Sequence, residues 1–124
     1  MADAPAAPRE FAVFDGDLDA AWAERFGRAR AVAVDTEAMG LIHGRDRLCL
    51  VQLCDPDDHV ACVRIGLGQT DAPRLQALME STSVEKVFHF ARFDVAALAS
   101  GLGIAVNPIF CTKVASRLAR TYTP

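Results

Sequence analysis

Two of the short apolar runs in this chain lead into acids that could meet, and no other feature restricts the fold so tightly. Ala31-Val32-Ala33-Val34 runs straight into Asp35 and Glu37, and Lys86-Val87-Phe88-His89-Phe90 is followed within four residues by Asp94. In an extended chain residues i and i+2 share a face, so Asp35 and Glu37 project together, about 7 Å apart along the backbone. Two carboxylates that close repel each other unless solvent or a cation intervenes. The spacing fits a solvated strand end, and it equally fits a site for a hard divalent ion such as Mg2+ or Mn2+. Asp94 taken alone is an ordinary helix-start acid, placed where the helix dipole favours an anion. If the two strands lie side by side, however, three acids from separate segments meet.

The rest of the chain supplies the elements that such a meeting requires. Phe11 to Phe14 reads as a short strand, and Asp17 or Asp19 caps a helix with Leu18, Trp22 and Phe26 on one stripe. Ala31 to Thr36 is extended, with Val32 and Val34 alternating against alanine, and a charged, glycine-bearing turn leads to a strand over Leu48 to Cys54. The DPDD turn joins that strand to another over His59 to Ile65 as a hairpin. Thr70 or Asp71 then caps a helix with Pro73 in its first turn and Leu75, Leu78 and Met79 inward. Lys86 to Phe90 is a further strand, Ala91 to Leu102 a helix with Val95, Leu98, Ala99 and Leu102 on one side, and Ile109–Phe110 is extended. An amphipathic segment follows, with Val114, Ala115 and Leu118 opposite Lys113, Arg117 and Arg120. Strands first, then alternating helix and strand, predict an α/β fold: a mixed sheet in which an antiparallel hairpin is continued by parallel strands, with helices on its faces.

Composition narrows the function classes. A chain of 124 residues, 52% hydrophobic and 23% charged, is one soluble domain, and its apolar runs are too short to span a bilayer. Residues 1–10 form a disordered Ala/Pro leader without signal-peptide character, so residues 11–124 hold the domain and the expected location is cytoplasmic. Cys49, Cys54, Cys62 and Cys111 form no CxxC pair and read as small apolar residues in a reducing compartment. Cys54, His59 and Cys62 have zinc-ligand chemistry but no standard ligand spacing. A net charge of −3 argues against binding nucleic acid by bulk positive field. It leaves room for an enzyme whose acids hold the cations that handle phosphates.

The segments VDTEAMGL, RLCLVQL, KVFHFARFDVAAL and FCTKVASRLARTYT closely resemble the DEDD superfamily of 3′–5′ exonucleases, in its ribonuclease D-like branch and nearest the nano-RNase C type. The resemblance covers residues 11–124. It implies an RNase H-like fold and a site in which four acids bind two divalent metal ions, Mg2+ or Mn2+. On that pattern Asp35 and Glu37 match the first motif and Asp94 the second. All three would be catalytic metal ligands: Asp35 bridging both ions, Glu37 holding one and touching the terminal sugar, Asp94 acting on the second. Thr36, Leu41, His89 and Arg92 are the expected substrate contacts, Leu41 against the terminal base and Arg92 on phosphate. The Lys113/Arg117/Arg120 face is either solvated or meets the substrate backbone. The implied substrate is short single-stranded RNA.

The sequence also departs from the family pattern. The third motif, a helix bearing Tyr-x-x-x-Asp, is absent: residues 95–124 hold no Asp or Glu, and Tyr122 has no such partner. The expectation is therefore a partial exonuclease domain, truncated at its C-terminus and weak or inactive alone. The alternative is a non-catalytic nucleic-acid- or metal-binding remnant completed by another chain. Sheet surface left uncovered would favour self-association, and a homo-oligomer is the corresponding partner expectation.

Overall fold

The computed structural model describes residues 10–120, so most of the expected leader and Tyr122 lie outside the described residues. The elements are β1 (Glu10–Asp15), α1 (Ala20–Gly27), β2 (Ala31–Ala38), β3 (Leu48–Cys54), β4 (His59–Arg64), α2 (Pro73–Glu80), β5 (Glu85–Phe88), α3 (Ala91–Leu102), β6 (Ile109–Cys111) and α4 (Thr112–Ala119). Glu10 thus belongs to the first strand and not to the leader. The six strands form one sheet in the order β1-β4-β3-β2-β5-β6. Strand β3 runs antiparallel to both its neighbours, β2 and β4, while β1 joins β4, β5 joins β2 and β6 joins β5 in parallel. This is the mixed, RNase H-like sheet that the sequence leads one to expect.

Alternation along the strands divides the sheet into two unlike faces. Val32 and Val34 of β2, Val51 and Leu53 of β3, Ala61 and Val63 of β4, and Phe88 of β5 join the buried side chains of α1, α2 and α3 in a single core. The other face carries Ala33, Asp35 and Glu37, with half-buried Leu50, Gln52, Cys54, Val60, Cys62 and Val87 beside them. At its margins Phe11 is 57% exposed and Phe110 44%. The apolar sheet surface expected to be uncovered is therefore present among the described residues. On α4 likewise Val114 and Leu118 are exposed and no residue is buried.

The helices that hold β2 and β5 in place are capped partly by residues distant in sequence. Asp19 caps α1 as expected, accepting from the Trp22 N–H at 2.8 Å. Neither Thr70 nor Asp71 caps α2. Ala72 occupies the N-cap, and the carboxylate of Asp17 accepts from the Arg74 and Leu75 N–H groups at 2.8 and 2.9 Å. At the other end of α2 the ammonium of Lys86, fully buried, donates to the carbonyls of Ser81 at 2.6 Å and Leu78 at 3.3 Å. Burial pushes the Lys86 pKa below its usual value. Two charged residues from neighbouring segments therefore satisfy the two ends of one helix, each with the sign the dipole favours.

Helix α3 spans the expected residues, but its buried face is Ala91, Asp94, Ala97, Leu98 and Leu102; Ala99 is exposed and Val95 half-buried. The shift follows from Asp94, which turns inward and so rotates the stripe. A methyl at Gly101 would stand 3.1 Å from Leu48 Cβ, so glycine lets α3 pass close over β3.

Candidate active site

The site begins with a difference in strand length. Strand β2 pairs with β5 only over Ala31, Val32 and Ala33, whereas it continues to Ala38 against β3. Beyond Ala33 the β5 side of β2 therefore lacks a strand partner. The chain leaves β5 at Phe88, turns through Phe90 in the left-handed region (φ 61°) and starts α3 at Ala91. That turn brings Asp94 against the vacated edge. Its Oδ1 accepts from the Thr36 N–H at 3.1 Å and from the Thr36 hydroxyl at 2.6 Å. A carboxylate replaces the next strand residue as the acceptor of a backbone donor, which keeps the buried N–H satisfied.

Thr36 lies between Asp35 and Glu37, so this bond ties the second acid segment to the first. Thr36 is 5% exposed and Asp94 4%, whereas Asp35 and Glu37 are exposed on the open face. Burial raises the Asp94 pKa above its ordinary value, the Thr36 hydroxyl opposes that shift, and the nearby negative charge of Asp35 adds to it. Among the described residues no Lys or Arg ion-pairs with Asp35, Glu37 or Asp94; Arg64, for example, pairs with Asp15 at 2.7 Å. Three hard oxygen donors without a basic partner fit a divalent cation. The three are not drawn into one tight cage, since their ligand atoms do not all fall within 4.8 Å of one another.

The expected substrate contacts are spread around this edge. Leu41 is 81% exposed and Met39 72%, on the β2–β3 loop. That loop is shaped by Asp46, which accepts from the Ile42 N–H at 3.0 Å and pairs with Arg45 at 2.9 Å. A side chain at Gly40 would displace the Asp46 carboxylate from these bonds. Arg92 is exposed in the first turn of α3. His89 is exposed beyond the end of β5, its Nδ1 2.9 Å from the Thr112 hydroxyl. Thr36 faces inward with both its donors on Asp94, so its geometry is that of a support for the acid. Lys113 lies over the Phe90 ring at 4.0 Å, while Arg117 and Arg120 are exposed.

One group escaped the sequence reading. Asp55, Asp57 and His59 bring ligand atoms within 4.8 Å of one another at the β3–β4 turn, and of the zinc-type residues Cys54, His59 and Cys62 only His59 belongs to this group. Asp55 Oδ1 accepts from the Asp57 and His59 N–H groups at 3.0 and 2.9 Å, and His59 Nδ1 is 2.9 Å from Oδ2. These bonds account for the cluster as the lock of the hairpin. Cys54 turns away and donates to the Asp55 carbonyl at 3.4 Å. The D-x-D-x-H spacing across a turn was the available signal.

Residues 11–123 match the 3′–5′ exonuclease domain family. Ribonuclease D of Acidiphilium cryptum is 32% identical over 119 residues, 96% of this chain and 30% of that protein. Ribonuclease D of Nitrobacter hamburgensis is 36% identical over 92 residues, 74% of this chain and 24% of that protein. The chain thus spans a third or less of these relatives. Brucella melitensis NrnC, solved with bound Mg2+, superposes with a TM-score of 0.85 at 43% identity, covering 92% of this chain and 55% of that one. NrnC has also been solved bound to pGG. Escherichia coli RNase D superposes with a TM-score of 0.71 at 26% identity, over 84% of this chain and 27% of its own. With the sheet, the matched residues and these relatives in agreement, the chain belongs to the 3′–5′ exonuclease family.

Proposed function

We propose that this chain is the acid-bearing part of a 3′–5′ exonuclease of the ribonuclease D type, hydrolysing the phosphodiester bonds of short single-stranded RNA with two divalent ions, Mg2+ or Mn2+. The observation that carries the reading is the bond from Thr36 to Asp94, which joins the strand bearing Asp35 and Glu37 to the helix bearing the third acid. When bound, the ions supply a hydroxide nucleophile and stabilise the leaving 3′ oxygen. Asp35 would be the ligand shared between them, Glu37 would hold one and meet the terminal sugar, and Asp94 would serve the second. Thr36 holds Asp94 in place. Exposed Leu41 covers the terminal base, Arg92 pairs with a phosphate, and His89 holds the substrate on the β5 side.

The 124 residues contain no Tyr-x-x-x-Asp. Groups of that kind are commonly worth about 10²- to 10⁴-fold each, so we expect this chain alone to be weak or inactive. The same reading places it in the cytoplasm, and the open sheet face favours self-association. The test joins calorimetric titration of Mg2+ and Mn2+ with an assay on short 5′-labelled RNA. Metal binding lost in Asp35→Asn, with slow, chelator-sensitive shortening from the 3′ end or none, is the expected result. Absence of metal binding would remove the site, and ladder-wise shortening at ordinary rates would remove the claim of weakness.

A further inference from the structure

His89, expected to touch substrate for reasons of position alone, is bonded in a way that fixes which ring nitrogen carries its proton. Among the described residues the Thr112 hydroxyl has two hydrogen-bonding neighbours: the Phe88 carbonyl at 3.2 Å and His89 Nδ1 at 2.9 Å. A carbonyl only accepts, so the contact with Phe88 uses the single hydroxyl proton. Thr112 is left as an acceptor toward His89. Both bonds exist together only when Nδ1 is the donor, and in the neutral ring Nε2 is then a bare acceptor.

The surroundings say what such an acceptor meets. His89 and Thr112 line a hollow of about 580 Å³ on the open face, together with Asp35, Gln52, Val60 and Val87. Among the described residues no Lys or Arg lines it. An imidazole acceptor and a carboxylate above apolar side chains are matched by a hydroxyl-bearing apolar ring system, and mismatched by a bare phosphate.

We propose that His89 is a substrate-positioning residue whose Nε2 accepts a hydrogen bond from a ribose hydroxyl of the terminal nucleotide, with the Phe88–Thr112 relay holding it in the accepting form. The proposal rests on the nuclease reading and adds to it a hydrogen-bond acceptor for the terminal sugar on the β5 side, apart from Glu37. The acceptor takes a 2′- or a 3′-hydroxyl, and the experiment separates them.

The test uses the 124-residue chain with Ca2+ in place of Mg2+. Binding of a fluorescent diribonucleotide is compared with that of its terminal 2′-deoxy and 3′-deoxy forms, and 15N NMR reports the His89 tautomer. In the wild type one deoxy form binds roughly 3- to 10-fold more weakly, the worth of one neutral hydrogen bond. His89→Phe binds that pair equally, and Thr112→Val keeps the fold while a proton signal appears on Nε2. Equal wild-type binding of all three ligands, or a proton already on Nε2, overturns the proposal and leaves the nuclease reading intact. Failure of every ligand to bind overturns both.

Discussion

Asp94 is a buried acid serving two ends, and substituting it separates them. In Asp94→Ala the Thr36 N–H and hydroxyl lose their acceptor inside the core, at a cost of roughly 1–3 kcal/mol for each stranded donor. Removing a buried charge returns part of that, so the net loss is about 3 kcal/mol, or roughly 10 °C in Tm for a chain of this size. In Asp94→Asn the amide oxygen still accepts from Thr36 and the charge is gone, so stability without metal stays within about 1 kcal/mol of wild type. Mg2+ at ten times its Kd adds about 1.4 kcal/mol to the wild type and nothing comparable to either variant. The pH dependence has a definite sign. The folded pKa of Asp94 lies above its ordinary value of 3.8, so the native state binds the proton more tightly. Without metal, the Asp94 contribution is largest below that value and is lost as pH rises through the folded pKa, whereas Asp94→Asn shows no such loss. Thermal unfolding of the three proteins with and without Mg2+ decides the matter. Equal damage from Ala and Asn would refute the role of the Thr36 bonds, and an undiminished Mg2+ shift in Asp94→Asn would remove Asp94 from the metal site.

Asp35→Asn and Glu37→Gln, both at exposed positions, leave Tm within a few degrees of wild type but abolish Mg2+ stabilisation, as scanning with and without the ion will show. Lys86→Met, by stranding the Ser81 and Leu78 carbonyls, costs about 2 kcal/mol in urea unfolding. Because the folded Lys86 pKa is lowered, wild type gains on that variant as pH rises toward 10.5. Asp17→Ala exposes two α2 N–H groups and lowers stability by about 1–2 kcal/mol, although Asp17 is not in that helix; denaturant midpoints of Asp17→Ala and Asp71→Ala distinguish the two candidate caps.

What the sequence made legible was whatever is periodic or local. Alternation gave β2 and β3, helical periodicity gave the extent of α3 though not its buried face, and DPDD gave the hairpin. The acids were visible because each follows an apolar run, and their adjacency followed from a parallel β2–β5 pair. Long-range bonds were not legible. Nothing near residue 73 points to Asp17 as the cap of α2, nor near residue 86 to a lysine buried beneath that helix's other end. Asp94 misled in a smaller way. As a polar residue it has no place on an apolar stripe, yet its bond to Thr36 puts it on the buried face and moves Ala99 out.

The early end of β5 makes the peptide from Phe88 to Asp94 a gauge for the whole centre. One residue added between Phe90 and Asp94 would turn the carboxylate about 100° around the helix axis and leave Thr36 facing nothing. Side-chain changes along that stretch alter affinities by degrees, but a single insertion would dismantle the arrangement outright. The connection should therefore vary in composition among functional homologues far more readily than in length.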